Sequence, residues 1–309
     1  MLVEFFSMNV ANPLTSDEYR RRICRAIDFI NAHLAGNPSV DEIARAASFS
    51  SFHFQRLFRA IVGETVAQFT RRLRLESAAR RLRSRPQDDI TGLAYDLGFS
   101  SSQNFAKAFK KHFGVSPTQY REQFRDVPGG VSLSAGPVVR DWVRVACDAE
   151  SIAGSVDVRD VSAFRVVYRR HFGSYHNPGL EAAFDDLVRW ARPRGLDVVE
   201  RCIGIPWDDA DVTAEDKCRF DACLIVPDDF LPERGINWQT IPAGRYAVYT
   251  CEVVHHDFDA PWTALMRDWL PHSGYQPADG PRFERYRTDG SDDAEGRWRI
   301  DVCLPVVPL

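Results

Sequence analysis

The sequence of 309 residues lacks the features that mark secreted and membrane proteins. Its seven cysteines are odd in number and form no Cys-x-x-Cys pair, which is typical of free thiols in a reducing compartment. No apolar run approaches the roughly 20 residues of a membrane helix. Met1–Phe6 carries no positive charge that would indicate a signal peptide. The sequence therefore predicts a soluble cytoplasmic protein.

Motifs of the common cofactor and catalytic sites are also missing. The sequence contains no GxxxxGK[ST] phosphate loop, no HExxH and no GxSxG. The neighbours His255 and His256 would point to opposite faces of an extended segment, which does not favour a metal site. We therefore expect no cofactor, no metal and no catalytic residue.

Charge is distributed unevenly along the chain. The formal net charge is only −4, which by itself argues against a nucleic-acid binder. Residues 1–125, however, carry 19 basic and 12 acidic side chains, for a net +7, and the remaining residues carry 20 and 31, for −11. This asymmetry predicts two modules with different partners.

The front half contains an internal repeat of helical segments. After a first helix with Ile23, Ile27 and Ile30 at helical spacing, the second copy repeats the first at a shift of 50 residues, and of 51 beyond the turn. The matched positions are Ile43/Leu93, Phe49/Phe99, Phe54/Phe105, Leu57/Ala108, Phe58/Phe109, Gly63/Gly114 and Phe69/Tyr120. Each copy predicts a short helix, a tight turn and a second helix that a glycine ends.

The second helix of each copy carries polar and basic residues opposite its apolar stripe. Gln and Asn side chains can pair with adenine, and Arg or Lys with guanine, in a major groove wide enough for a helix. A solvated helix face is the alternative for one copy, but two matched copies in a +7 segment favour DNA. A helix of about 27 Å from Thr65 to Leu82 could hold both copies near the ~34 Å repeat of one DNA turn.

The back half predicts an α+β fold. Short alternating runs such as Phe164–Tyr168 and Phe220–Val226 indicate strands, and two amphipathic stretches, about Gly179–Ala191 and Phe258–Leu270, indicate helices. Residues 219–224 match residues 299–304 at a shift of 80. The simplest account is two strand–helix–strand–strand repeats side by side.

One carboxylate in this half is a candidate ligand-binding group. Because residues 281–286 alternate, Glu284 and Tyr286 share one strand face, and a carboxylate beside aromatic rings suits a lipophilic cation. On the residues alone, a surface glutamate paired with a neighbouring arginine is favoured over this interpretation.

Residues 16–125 resemble the AraC/XylS-type double helix-turn-helix domain. The resemblance lies in Phe49–Phe58 with Gly63, in Ile90–Ser100, and in the specific signature Phe105-x-x-x-Phe109-Lys110-Lys111-x-Phe113-Gly114-Val115-Ser116-Pro117 with Tyr120-Arg121. It implies an all-α DNA-binding domain in which the base-facing side chains are Phe52, Gln55, Arg56, Ser102, Gln103, Asn104 and Lys107.

Residues 156–309 resemble the gyrase-inhibitor-like, or multidrug effector-binding, domain. The motifs, loose one by one but specific in this order, include Phe164–Tyr175, Ile203–Asp208, Ile241–Val248, Trp269–Tyr275, Glu284-x-Tyr286 and Ile300–Val306. The family's pocket carboxylate falls on Glu284, which now favours the ligand-binding interpretation. Trp207, Tyr249 and Tyr286 are the expected pocket wall.

Together the two resemblances imply the architecture of Rob-like regulators. We expect an extension at residues 1–15, the DNA-binding domain at 16–125, a linker at 126–155 and the effector domain at 156–309. The expected partners are double-stranded DNA, a small cationic or amphipathic effector, and RNA polymerase. Two alternatives stay open for the back domain: hydrolysis of reactive small molecules by Glu284, or a protein-binding module that contacts polymerase or gyrase.

Overall fold

A computed structural model describes residues 13–124 and 155–309, apart from residues 197, 199–200, 211, 232, 255–256, 289, 291–292 and 294 and the side chains of residues 13–16, 52 and 53. The predicted extension at 1–15, the linker at 126–155 and His255–His256 therefore lie wholly or almost wholly outside the described residues. The chain forms two compact units. One comprises residues up to Arg74 with Glu233–Asn237, and the other comprises Leu75–Pro232 with Trp238–Leu309.

The front half is entirely helical, as the sequence predicts. Its seven helices within the described residues are α1 (Pro13–Ala32), α2 (Val40–Ala46), α3 (Ser51–Val62), α4 (Val66–Ser84), α5 (Ile90–Asp96), α6 (Ser102–Phe113) and α7 (Pro117–Phe124). Helices α2 and α3 correspond to α5 and α6 at the predicted shifts of 50 and 51. The segment expected from Thr65 to Leu82 is one continuous helix, α4.

Local chemistry sets the ends of these helices. Ser39 forms a capping box with Glu42, and Asp89 caps α5 by accepting the Gly92 N–H. Gly63 ends α3 at φ +80° and Gly114 ends α6 at φ +79°, a left-handed conformation that costs other residues energy.

Each helical copy has its own core. The first unit buries the apolar stripes of α1 and α3 together with Phe69 of α4. The second unit buries Leu75, Ala79 and Leu82 of α4 against Phe105 and Phe109 of α6. Arg81 adds ion pairs to Asp88 and Asp96 at 3.1 Å each, which tie α4 to α5 within the second unit.

The back half is an antiparallel sheet with helices on one face. Its strands are β1 (Val156–Val161), β2 (Phe164–Phe172), β3 (Cys202–Pro206), β4 (Arg219–Val226), β5 (Asn237–Ile241), β6 (Gly244–Val253), β7 (Tyr275–Pro277), β8 (Phe283–Tyr286) and β9 (Trp298–Pro308). The helices are α8 (Pro178–Ala191) and α9 (Asp259–Thr263), the latter continuing as a π turn (Ala264–Trp269) and a 3-10 turn (Leu270–His272).

The strand order confirms the predicted duplication. The sheet runs β1-β6-β9-β8-β3-β4-β2-β5, with β7 paired to β9. The order has a two-fold symmetry. If β1, β2, β3 and β4 are exchanged with β5, β6, β8 and β9, respectively, the same order is read from the other edge of the sheet. Two strand–helix–strand–strand repeats therefore meet at the pairing of β3 with β8. Strands β1, β5 and β7 are additions that the sequence patterns did not reveal.

Gly114→Ala should destabilise the end of α6. Open space surrounds the added Cβ, so the loss of stability comes only from holding alanine in the left-handed backbone conformation, about 1–2 kcal/mol. Gly92→Ala, within α5, is the control and should stabilise by up to about 1 kcal/mol. Hydrogen exchange of the α5 and α6 amides measures both; equal effects of the two substitutions would contradict this account.

Candidate functional site

Helix α6 presents a polar face with one side of the helix fixed in the core. Phe105, Ala108 and Phe109 are buried, and Gln103, Asn104 and Lys107 are exposed, with Ser102 half-buried at the first turn. Ser101 accepts the Asn104 backbone N–H, and the Asn104 side-chain amide donates to the Ser100 hydroxyl at 3.0 Å. These two hydrogen bonds fix the first turn of α6.

Helix α3 presents the corresponding face of the first copy. Gln55 and Arg56 are exposed on the side opposite Phe54 and Phe58, which are fully buried. Phe52 belongs to α3, but its side chain lies outside the described part of the structure. Of the seven residues expected to face bases, the six others project from exposed or half-buried positions on the predicted helices.

The carboxylate of Glu284 lies in the interior of the second domain. Only 4% of the residue is exposed. Its Oε1 accepts the indole N–H of Trp262 at 2.7 Å, and its Oε2 accepts the hydroxyl of Tyr286 at 2.7 Å. Burial raises the pKa of Glu284 above its ordinary value, against the lowering effect of these two hydrogen bonds. Burial also raises the pKa of Tyr286, and the neighbouring carboxylate adds to that shift.

Other buried carboxylates of this domain have arginine partners. Asp208 pairs with Arg219 at 2.7 Å and Asp221 with Arg170 at 2.6 Å. Asp301 pairs with Arg287 at 2.5 Å. Glu284 differs because both groups that hydrogen bond to it in the described part of the chain are uncharged. A buried carboxylate whose hydrogen-bond donors are uncharged favours either protonation or the arrival of a cation.

Gly204 allows two aromatic side chains near this carboxylate to approach the backbone of β3. It lies opposite Glu284 across the β3–β8 pairing. An alanine Cβ at this position would overlap both the Tyr286 hydroxyl and the Phe220 ring. The glycine is therefore required by the close approach of these two rings to the backbone of β3.

Aromatic rings surround the Glu284–Tyr286 pair. Phe184 of α8 and Phe258 before α9 meet the Tyr286 ring at centroid distances of 5.7 and 6.0 Å. Trp298 of β9 completes the group at 5.7 Å from Tyr286. Tyr249 packs in the same apolar cluster. It lies two strands away from Glu284, because both residues pair with Val302 of β9. The structure therefore brings together three of the four predicted ligand residues.

Trp207 lies elsewhere. Its indole N–H donates to Asp221 at 2.8 Å. The registers place Ala222 opposite Gly204, on the face of Glu284, so the adjacent Asp221 points to the other face. Trp207 thus stands on the opposite side of the sheet from the other three residues.

Several residues of this cluster escaped the sequence analysis: Trp262, Phe184, Phe258, Trp298 and Gly204. A signal for two of them exists, because Phe258 and Trp262 are four residues apart and so share one helix face. Within the described residues, no cluster of His, Cys, Asp or Glu could hold a metal ion, and no helix is long and apolar enough to cross a membrane.

The fold and the site define a class: a double helix-turn-helix domain followed by a duplicated α+β domain with a buried carboxylate. Family models match both parts, a helix-turn-helix domain at residues 43–123 and the GyrI-like small molecule binding domain at residues 155–307.

The chain is similar in part to several known proteins. A DNA gyrase inhibitor of Edwardsiella piscicida is 35% identical over 41% of this chain and 82% of the relative. The HTH-type transcriptional activator AarP of Providencia stuartii is 35% identical over 32% of this chain and 73% of the relative. A solved EcmrR–DNA complex is 14% identical, covers 84% of this chain and 83% of that chain, and has a TM-score of 0.43.

The chain therefore belongs to the AraC-type transcriptional regulators, and its second half belongs to the GyrI-like small-molecule-binding domains. The expectation of a DNA-binding regulator with a small-molecule-binding domain is confirmed at this level.

Titration of Glu284 should make the stability of the protein depend on pH. A carboxyl with a raised folded pKa binds more protons folded than unfolded, so the free energy of unfolding falls as the pH rises above the ordinary 4.5. Glu284→Gln should remove this decline, which ends once the pH passes the folded pKa.

Unfolding by urea over a pH series measures this difference. Glu181→Gln, which changes an exposed carboxylate on α8, is the control and should leave the wild-type decline in place. If the difference in unfolding free energy between wild type and Glu284→Gln does not change as the pH rises from 4.5, the raised pKa of Glu284 is refuted.

Proposed function

We propose that residues 16–125 contact DNA bases through α3 and α6 and that residues 156–309 bind a lipophilic cation at Glu284. The cation-binding part rests mainly on one observation: Glu284 is a buried carboxylate whose donors in the described part of the chain are uncharged, and aromatic rings surround its partner Tyr286. A cation would neutralise the carboxylate and gain cation–π contacts of about 0.5–2 kcal/mol each.

We assign the base contacts to the polar faces of the two recognition helices. Phe52, Gln55 and Arg56 act from α3, and Ser102, Gln103, Asn104 and Lys107 act from α6. The basic last turn of α6, with Lys110 and Lys111, supplies phosphate contacts. Phosphate contacts provide affinity and position, while the amide side chains provide the choice of sequence.

We assign Glu284 a binding role rather than a catalytic one. Trp262 and Tyr286 each donate a hydrogen bond to one of its oxygens, and both bonds favour the carboxylate form over the protonated one, which makes it a weaker base. Release of product from an activated ester incubated with the protein, lost in Glu284→Gln, would contradict this role. Since one relative is a transcriptional activator, we also propose RNA polymerase as a partner.

Substitutions in α6 should separate base contacts from phosphate contacts. On a duplex selected from random sequences by the full chain, Gln103→Ala should cost about 1–3 kcal/mol and relax selectivity at its base position. Lys110→Ala should weaken binding to all sequences and reduce the salt slope by about 1. Fluorescence anisotropy over a salt series measures both.

Gln87→Ala is the matched control, since Gln87 is exposed in the segment between α4 and α5. It should bind the selected duplex as the wild type does. Full retention of selectivity by Gln103→Ala would remove this residue from the reading face. No affinity of the wild type for any duplex at low salt would overturn the DNA-reading assignment as a whole.

The effector site should prefer a positive charge. Benzyltrimethylammonium should bind more tightly than its uncharged isostere neopentylbenzene, and Glu284→Gln should remove the difference. Because the carboxylate form binds, the affinity for the cation should rise with pH through the raised pKa of Glu284. Calorimetry gives both dissociation constants. Equal binding of the two probes by the wild type, or a preference for the cation that persists in Glu284→Gln, would reject the site. Glu181→Gln is the control and should keep the wild-type preference.

A further inference from the structure

Arg282 connects the effector site to the loop that follows β3. Its guanidinium lies 5.5 Å from the centroid of the Trp262 ring, the same indole that donates to Glu284. Its Nη2 donates to the carbonyl of Asp208 at 2.7 Å, and its Nε donates to the carbonyl of Pro206 at 3.3 Å. One side chain thus contacts both the ring above the carboxylate and the end of β3.

Several hydrogen bonds fix Asp208 in the loop after β3. The carboxylate of Asp208 accepts from both the Nε and Nη2 of Arg219, and its Oδ2 also accepts the Arg219 backbone N–H. The Tyr175 hydroxyl donates to the Asp208 carbonyl at 2.9 Å. Because Asp208 is fully buried among these bonds, a displacement at Arg282 reaches Asp208 directly and its neighbour Asp209 along the backbone.

The other end of this loop contacts α4. Asp209 forms an ion pair with Arg83 at 3.1 Å, and Val212 packs against the core of the second helical copy. Burial lowers the pKa of Arg80, one turn earlier, and the negative charge of Asp208 is the strongest influence in the opposite direction. Arg85 at the end of α4 donates to the carbonyl of Pro277. The last turns of α4 therefore rest on the effector domain within the second unit.

The same turns of α4 also hold the recognition helix. Leu75, Ala79 and Leu82 pack with Phe105 and Phe109 of α6 in one core. A close-packed core transmits small shifts because it has no slack to absorb them. A change at Arg80 or Arg83 is thus communicated to the helix that carries Gln103 and Lys107.

We propose that Arg282 and residues 207–210 and 212–213 couple occupation of the effector site to DNA affinity, which rests on the cation-binding function proposed above. A cation at Glu284 competes with the indole N–H of Trp262. The ring then leaves Arg282, the loop shifts, and its contacts with Arg83 and Arg80 change. The coupling equals the difference in cation affinity between DNA-bound and free protein, so it acts equally in both directions.

The experiment uses the full chain with Arg282→Gln at the pocket end of the connection and Asp209→Asn at the α4 end. Arg299→Gln, an exposed arginine on β9, is the control. In wild type and control, benzyltrimethylammonium should change the dissociation constant for the selected duplex about fivefold or more, and the duplex should change that of the cation by the same factor. Both variants should bring the factor close to one, while Asp209→Asn retains the cation affinity of the free protein.

Retention of the wild-type factor in both variants overturns the proposal, and so does a wild type that binds the cation without any change in DNA affinity. Neither result affects the effector site. A wild type that does not bind the cation contradicts the proposed function instead. An arm without ligand then decides the coupling: Arg282→Gln should speed hydrogen exchange in residues 206–213 and 78–84, and Arg299→Gln should not. Unchanged hydrogen exchange in residues 78–84 overturns the proposal. If Arg282→Gln is too unstable to measure, Asp209→Asn takes its place and the same outcome decides.

Discussion

The two repeats of the second domain are joined where β3 pairs with β8, and the site depends on this seam. The paired residues are Ile203 with Arg285 and Gly204 with Glu284. Directly opposed residues of antiparallel strands lie about 4.5–5.5 Å apart, so the nearest neighbour of the Glu284 carboxylate across the seam has no side chain. The Tyr286 hydroxyl and the Phe220 ring lie over this glycine, and helices α8 and α9 add Phe184 and Trp262 from the two repeats. A buried carboxyl group thereby sits at the seam, and its hydrogen-bond donors among the described residues are uncharged.

The front helices could be predicted from the sequence because their signals are local. Phe54 and Phe58 mark one helix face, and Gly63 marks the end of α3; the second copy repeats each signal. Strands β1 and β5 gave no such signal. They lie at the edges of the sheet, and the hydrogen-bond partners of β1 belong to β6, far along the chain. Their positions follow from tertiary pairing rather than from a pattern of burial.

The site was only partly predictable for a similar reason. A period of two placed Glu284 and Tyr286 on one face, and the structure agrees. Trp207 follows Pro206, the last residue of β3, and one step along a strand moves a side chain to the opposite face. Trp262 reaches Glu284 only because α9 docks on the sheet, which no short-range pattern specifies. The −11 charge of the back half says little about the site, since Asp208, Asp221 and Asp301 are matched by arginines in the interior.

The symmetry of the sheet makes this domain an internal dimer of two repeats. Near the axis of such a dimer every position has a twin, and Gly204 is the twin of Glu284. Glutamates at both places would put two carboxylates side by side in a dry interior, where both cannot be ionised together. A duplicated domain of this kind can keep a single acid at its axis only after the two copies have diverged. We therefore expect one ligand per chain, although the sheet contains the repeat twice.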